Sequence, residues 1–97
     1  APMLATWDDH DLAWNDGGGD FTGRTMAQRM FESFWRVEAG RFADRDGIWD
    51  ARVFGPEGRR VQFILLDTRS GRTTLTRLPQ STPNGRYAPS QDPNQRM

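Results

Sequence analysis

Pro2-Met3-Leu4-Ala5-Thr6-Trp7-Asp8-Asp9-His10-Asp11 starts apolar and ends in three carboxylates around the only histidine of the chain. Met3 to Thr6 reads as a short buried strand, which makes the acidic run its carboxyl end. Like charges packed together repel, and burial sharpens the repulsion. Two readings answer that cost. In one, a bound cation relieves it: hard cations take carboxylate oxygens, and a neutral imidazole beside them can ligate or move protons. In the other, the run is a solvated acidic turn.

The elements downstream follow from periodicity. Asp8 to Gly23 is expected as a long polar loop centred on Asn15-Asp16-Gly17-Gly18-Gly19-Asp20, where Gly admits positive φ and Asn and Asp cap turns. Thr25 and Gln28 match a capping box. Met26, Met30, Phe31, Phe34 and Trp35 recur at helical spacing, which predicts an apolar face packed in the core, with Gly40 as the stop. Arg41 to Asp46 is a charged connector. Ile48 to Phe54 reads as a strand with Trp49, Ala51 and Val53 on its apolar face. Gly55-Pro56-Glu57-Gly58 is a turn signal. Val61 to Leu66, broken only by Gln62, reads as a strand buried on both faces and completes a hairpin. Residues 1–77 form the expected ordered part, and 78–97 a loop or tail rich in Pro, Ser, Asn and Gln.

Composition narrows the classes. The chain has 97 residues and zero formal net charge, which suits one small domain or a piece of a larger one and gives no general drive toward nucleic acid or an anionic membrane. Charge is nevertheless uneven: residues 1–20 hold five acids and no Lys or Arg. Every basic residue is Arg, which forks onto phosphate and carboxylate but is also what a codon bias produces. Without cysteine there is no disulfide framework and no Cys-based zinc site. No stretch reads as a signal peptide or a membrane span. The chain starts inside an expected strand and stops in a tail, so both ends read as cut.

A second polar cluster, Asp67-Thr68-Arg69, closes the strand at Val61 to Leu66. In α/β proteins, sites collect at the carboxyl ends of strands. If the two strands run the same way in one sheet, the acids, His10 and Arg69 meet, a set suited to phosphate-ester hydrolysis. The alternative for Asp67 and Arg69 is an ion pair closing the hairpin. Gly18 to Thr25 nearly spells a P-loop, but Arg24 replaces the lysine and no strand precedes it. The loop also lacks EF-hand spacing, which leaves calcium only an irregular oxygen cage there. No basic stripe interleaved with aromatics marks a nucleic-acid module.

Ala5-Thr6-Trp7-Asp8-Asp9-His10-Asp11, Trp14-Asn15-Asp16-Gly17-Gly18, Val53-Phe54-Gly55-Pro56 and Ile64-Leu65-Leu66-Asp67-Thr68-Arg69, in that order, resemble the PhoD-like (alkaline phosphatase D) family of metallophosphoesterases. Arg86 to Pro93 resembles a later loop of the same family. The resemblance implies an α/β fold, part of a metallophosphoesterase-type β-sandwich with flanking helices. It implies hydrolysis of phosphate mono- or diesters at a metal centre, with calcium and iron typical, in an extracytoplasmic (secreted or periplasmic) setting. It casts Asp9, and with less weight Asp8, as metal ligands. His10 becomes the catalytic proton donor and Arg69 the substrate contact, supported by Asn15, Asp16 and Asp67. The superfamily draws further acids and histidines from before and after such a segment, and Leu12-Ala13 stands where close relatives carry Tyr or Phe-Gly. The chain therefore reads as an internal fragment, inactive alone. The competing reading is a small non-catalytic domain that binds calcium or a partner through the Gly/Asp-rich loop.

Overall fold

The computed structural model describes residues 3–80, 83 and 85–96. Its regular elements are α1 (Asp9–Leu12), α2 (Arg24–Phe34), β1 (Asp50–Phe54) and β2 (Val61–Leu65). At this level it is a mixed helix and sheet fold.

The core is small. Trp7, Leu12, Phe31, Phe42 and Ile48 are buried, with Ala5, Ala13, Phe21, Ala27 and Val37 packed against them. Trp7 meets Phe31 edge to face at 5.6 Å between ring centroids, a geometry that aromatic quadrupoles favour. The radius of gyration is 16.6 Å, against about 13 Å for a compact domain of this length. The excess comes from an elongated shape, in which the hairpin packs against neither helix.

Four expectations change here. Met3 to Thr6 forms no strand: the Thr6 hydroxyl donates to the Leu66 carbonyl at 2.9 Å in place of a backbone ladder. The acidic run is not a strand end within a long loop but a helical turn, α1. Asp residues favour helix starts, and Asp11 accepts the Asp8 N–H at 3.0 Å. The Thr25–Gln28 capping box is not made. Gly23 caps α2, and the Gln28 amide instead reaches the Phe42 carbonyl at 2.6 Å. Finally, the helix stops before Gly40. Arg36 takes a left-handed φ of 53°, and Val37 N–H closes back on the Glu32 carbonyl at 2.9 Å, a Schellman-type ending.

Burial also departs from the pattern. Phe31 turns into the core, while Met26, Met30 and Phe34 are exposed. The hairpin forms as expected, antiparallel with Arg52 opposite Phe63, but its apolar residues other than the half-buried Leu65 are exposed, on both faces. An alternating or continuous apolar pattern reports that a strand is suited to burial; a second layer is needed to bury it.

A buried acid holds the α2–β1 connector. Glu32 accepts the N–H groups of Phe42 at 3.1 Å and Gly40 at 3.3 Å. Glu32→Ala orphans both donors, and urea unfolding is expected to show a loss of about 2 kcal/mol. Arg29→Ala, exposed on the same helix, should stay within about 0.5 kcal/mol.

Candidate functional site

The segment after β2 runs beside the segment that leads into α1. Thr6 bonds Leu66, Trp7 lies against Asp67, and Asp8 pairs with Arg69. The offset between partners stays nearly constant, so the two segments run in the same direction. This juxtaposes the two polar clusters without a shared ladder.

Arg69 joins them. Its Nε donates to Asp8 Oδ1 at 2.7 Å, and its Nη1 lies 3.3 Å from Asp9 Oδ1. The second contact is off the angle of a hydrogen bond, and among the described residues Nη1 has no hydrogen-bond partner. Burial works to lower the Arg69 pKa, but its hydrogen bond to Asp8 and the charges of Asp8, Asp9 and Asp16 outweigh it and hold the guanidinium above its ordinary value. The cation that relieves the acidic run is thus, in part, an arginine of the chain itself.

Among the described residues, Asp9 is held through one oxygen. Its Oδ1 accepts the Asp16 N–H at 2.6 Å, while its Oδ2 faces His10 Nε2 at 3.9 Å. The His10 side chain is 72% exposed and that of Asp9 23%. A partly buried carboxylate with one fixed and one open oxygen therefore stands beside an accessible imidazole.

Asp16, expected only as a supporting oxygen donor, is a junction. Tyr87 donates its hydroxyl to Asp16 Oδ2, Asn15 adds its amide at 2.6 Å, and Arg86 stands 3.8 Å away. The Tyr87 hydrogen bond holds the Asp16 carboxyl below the ordinary range; partial burial opposes this, and Arg86, Arg72 and Arg77 reinforce it. The same bond pushes the Tyr87 phenol up.

Asp67 points away from this group. Its Oδ1 accepts the N–H groups of Arg69 at 3.0 Å and Ser70 at 2.9 Å; its Oδ2 accepts Ile48 N–H at 2.9 Å and Ser70 Oγ at 2.6 Å. Burial pushes its pKa up, but these bonds outweigh that and leave it below the ordinary range. The Trp7 indole lies near enough to add to this effect, although among the described residues its buried Nε1 has no partner within hydrogen-bond geometry. Asp67 and Arg69 do not form the ion pair considered as a hairpin closure.

The P-loop-like stretch has no free cradle. Gly19 N–H donates to the Arg72 carbonyl at 2.8 Å, and Gly18 N–H to Asp20 Oδ1 at 3.3 Å. Sequence reasoning missed Tyr87 and Arg72. Arg72 Nη2 donates to the carbonyls of Asp16 and Gly17, which pins the loop.

Among the described residues, no three His, Asp or Glu side chains converge in a metal-holding arrangement. Asp9 Oδ2 offers one ligand, and the exposed Asp8 could add another. The fit to a metal centre is therefore partial. No helix of the described residues is long and apolar enough to cross a membrane. Comparison of the chain with family models, curated proteins and solved structures finds no match.

Proposed function

We propose that the chain supplies the Asp-Asp-His-Asp part of a metal-dependent phosphoesterase site of the alkaline phosphatase D type, acting on phosphate mono- or diesters. The observation that carries this is the pairing of an open Asp9 Oδ2 with the exposed His10 Nε2 at 3.9 Å, while Asp9 Oδ1 is fixed. A metal, with calcium and iron first in mind, would neutralise phosphoryl oxygens and activate water when bound. Asp9 contributes one ligand oxygen. As water's oxygen bonds to phosphorus and gives up a proton to solvent, the ester P–O bond breaks and His10 gives its proton to the leaving oxygen. Arg69 keeps Asp8 and Asp9 in place. The remaining ligands come from outside this set, and the hairpin's exposed faces suit the inner side of a β-sandwich.

The calcium-loop alternative has less support. The Asp16 carboxylate is already engaged by Tyr87 and Asn15, and Asp20 caps its own loop.

The test uses manganese and inorganic phosphate. Bound Mn²⁺ should broaden the phosphorus-31 signal of phosphate more in the presence of the chain than without it. Asp9→Ala should abolish the excess. Equal broadening in wild type and Asp9→Ala would remove Asp9 from the metal role. Aryl-phosphate turnover is expected to be absent from the 97-residue chain.

A further inference from the structure

The chain's tail reaches the site through one tyrosine. Leu78 N–H donates to the Arg86 carbonyl and Ala88 N–H to the Thr76 carbonyl, each at 2.9 Å, around an antiparallel bridge between Arg77 and Tyr87. The Arg77 guanidinium lies 5.8 Å from the Tyr87 ring centre. These contacts fix the phenol where it meets Asp16, a residue 71 positions earlier.

Asp16 has an uncommon backbone. Its φ is 61°, in the left-handed region, which Asp enters more readily than most side chains and in which its neighbours hold it here. Here both ends of the residue are held: Tyr87 and Asn15 grip the carboxylate, and Arg72 grips the carbonyl. The consequence is the direction of its N–H, which meets Asp9 Oδ1 at 2.6 Å.

We propose that Tyr87 is a positioning residue for Asp9, acting through the Asp16 carboxylate and backbone N–H so that Asp9 presents Oδ2 beside His10. The proposal rests on the reading of Asp9 as a metal ligand for its functional consequence, but the linkage itself is independent of metal. Outer partners of metal ligands orient them and raise affinity. Tyr87 would be such a partner, delivered by a segment that otherwise reads as a tail.

The test is Tyr87→Phe in the 97-residue chain, read in two ways. The first is the amide resonance of Asp16 in metal-free protein. A short N–H to carboxylate bond shifts it downfield; Tyr87→Phe should move it upfield, toward its position in Asp9→Ala, while amides of α2 and the hairpin stay in place. The second is Mn²⁺ affinity, expected to fall roughly tenfold, the low end for loss of an outer partner of a metal ligand. Asp16→Gly, which keeps the left-handed backbone accessible and removes the gripped carboxylate, should reproduce the loss of Mn²⁺ affinity even if Tyr87→Phe loosens the tail. An unmoved Asp16 amide in Tyr87→Phe overturns the proposal. So does unchanged Mn²⁺ affinity in both variants when Asp9→Ala abolishes binding. If Asp9→Ala leaves Mn²⁺ binding intact, the metal reading of Asp9 fails instead, and the amide alone decides the linkage.

Discussion

Asp67→Ala is expected to cost about 3–5 kcal/mol, a large share of the roughly 5–15 kcal/mol typical of a folded domain. The reason is the number of donors that converge on one carboxylate. Three backbone N–H groups and the Ser70 hydroxyl meet its two oxygens. Two of those residues are almost fully buried: Ile48 is 0% exposed and Ser70 2%. Removal of the acceptor leaves donors that water reaches poorly, and each costs more than a hydrogen bond is worth when both partners remain. The neighbouring backbone is shaped around the same carboxylate. A Cβ on Gly47 would stand 2.7 Å from Asp67 Oδ2, at a φ of 152° that side chains rarely adopt. Asn should not rescue the variant, because both oxygens accept and an amide nitrogen would face a donor at one of them.

The same carboxylate sets a pH dependence. Its folded pKa lies below the ordinary value. A depressed acid contributes stability that is present above its unfolded pKa, near about 3.9, and is lost as pH falls through the folded value. The urea midpoint of the wild type should therefore drop on acidification below about pH 4, and more steeply than that of Asp67→Asn. Asp16 and Asp50 are also held low, Asp16 by the Tyr87 hydroxyl and Asp50 by its hydrogen bond from Arg41. They contribute equally to both proteins, so the difference in slope belongs to Asp67. Equal slopes, or a loss under about 1 kcal/mol in Asp67→Ala, would show that the four donors find other partners.

The helix and the hairpin were legible because their signals are local. Helical spacing and the Gly55 to Gly58 turn need no partner to be read. Helix termination at Arg36 was not, because a non-glycine residue in the left-handed region carries no sequence mark. Exposure of Phe63 and Ile64 was misjudged for a different reason: apolar character measures what a strand could bury, not what lies beside it. Asp67 was readable in principle. An Asp two and three residues before N–H donors is an Asx-type turn, a reading as local as the ion pair with Arg69. Tyr87 could not have been found, since its partner lies across the whole chain. The meeting of Asp8 and Asp9 with Arg69 followed from placing both polar runs at one end of parallel segments, although the expected first strand is absent.

Arg69→Gln separates two roles that sequence and geometry assign differently. From sequence, Arg69 is a phosphate contact. In the structure its side chain is only 15% exposed and lies against Asp8 and Asp9. A cation there competes with a metal for the same carboxylates. With Arg69 removed, Mn²⁺ affinity is expected to rise on the order of tenfold, between the weak coupling of solvated charges and the stronger coupling near a protein surface. Metal-free stability should fall by about 1 kcal/mol, since the Asp8 side chain is largely solvated and the loss is screened. Added Mn²⁺ should then recover more stability in the variant than in the wild type, because a ligand that binds only the folded state stabilises it in proportion to its affinity. The deciding measurement is phosphate affinity at saturating Mn²⁺. It is expected to stay unchanged, because the guanidinium is already committed to two carboxylates. A clear fall would return Arg69 to the substrate, and Asp8 and Asp9 would then owe their arrangement to the Asp16 N–H and the metal alone.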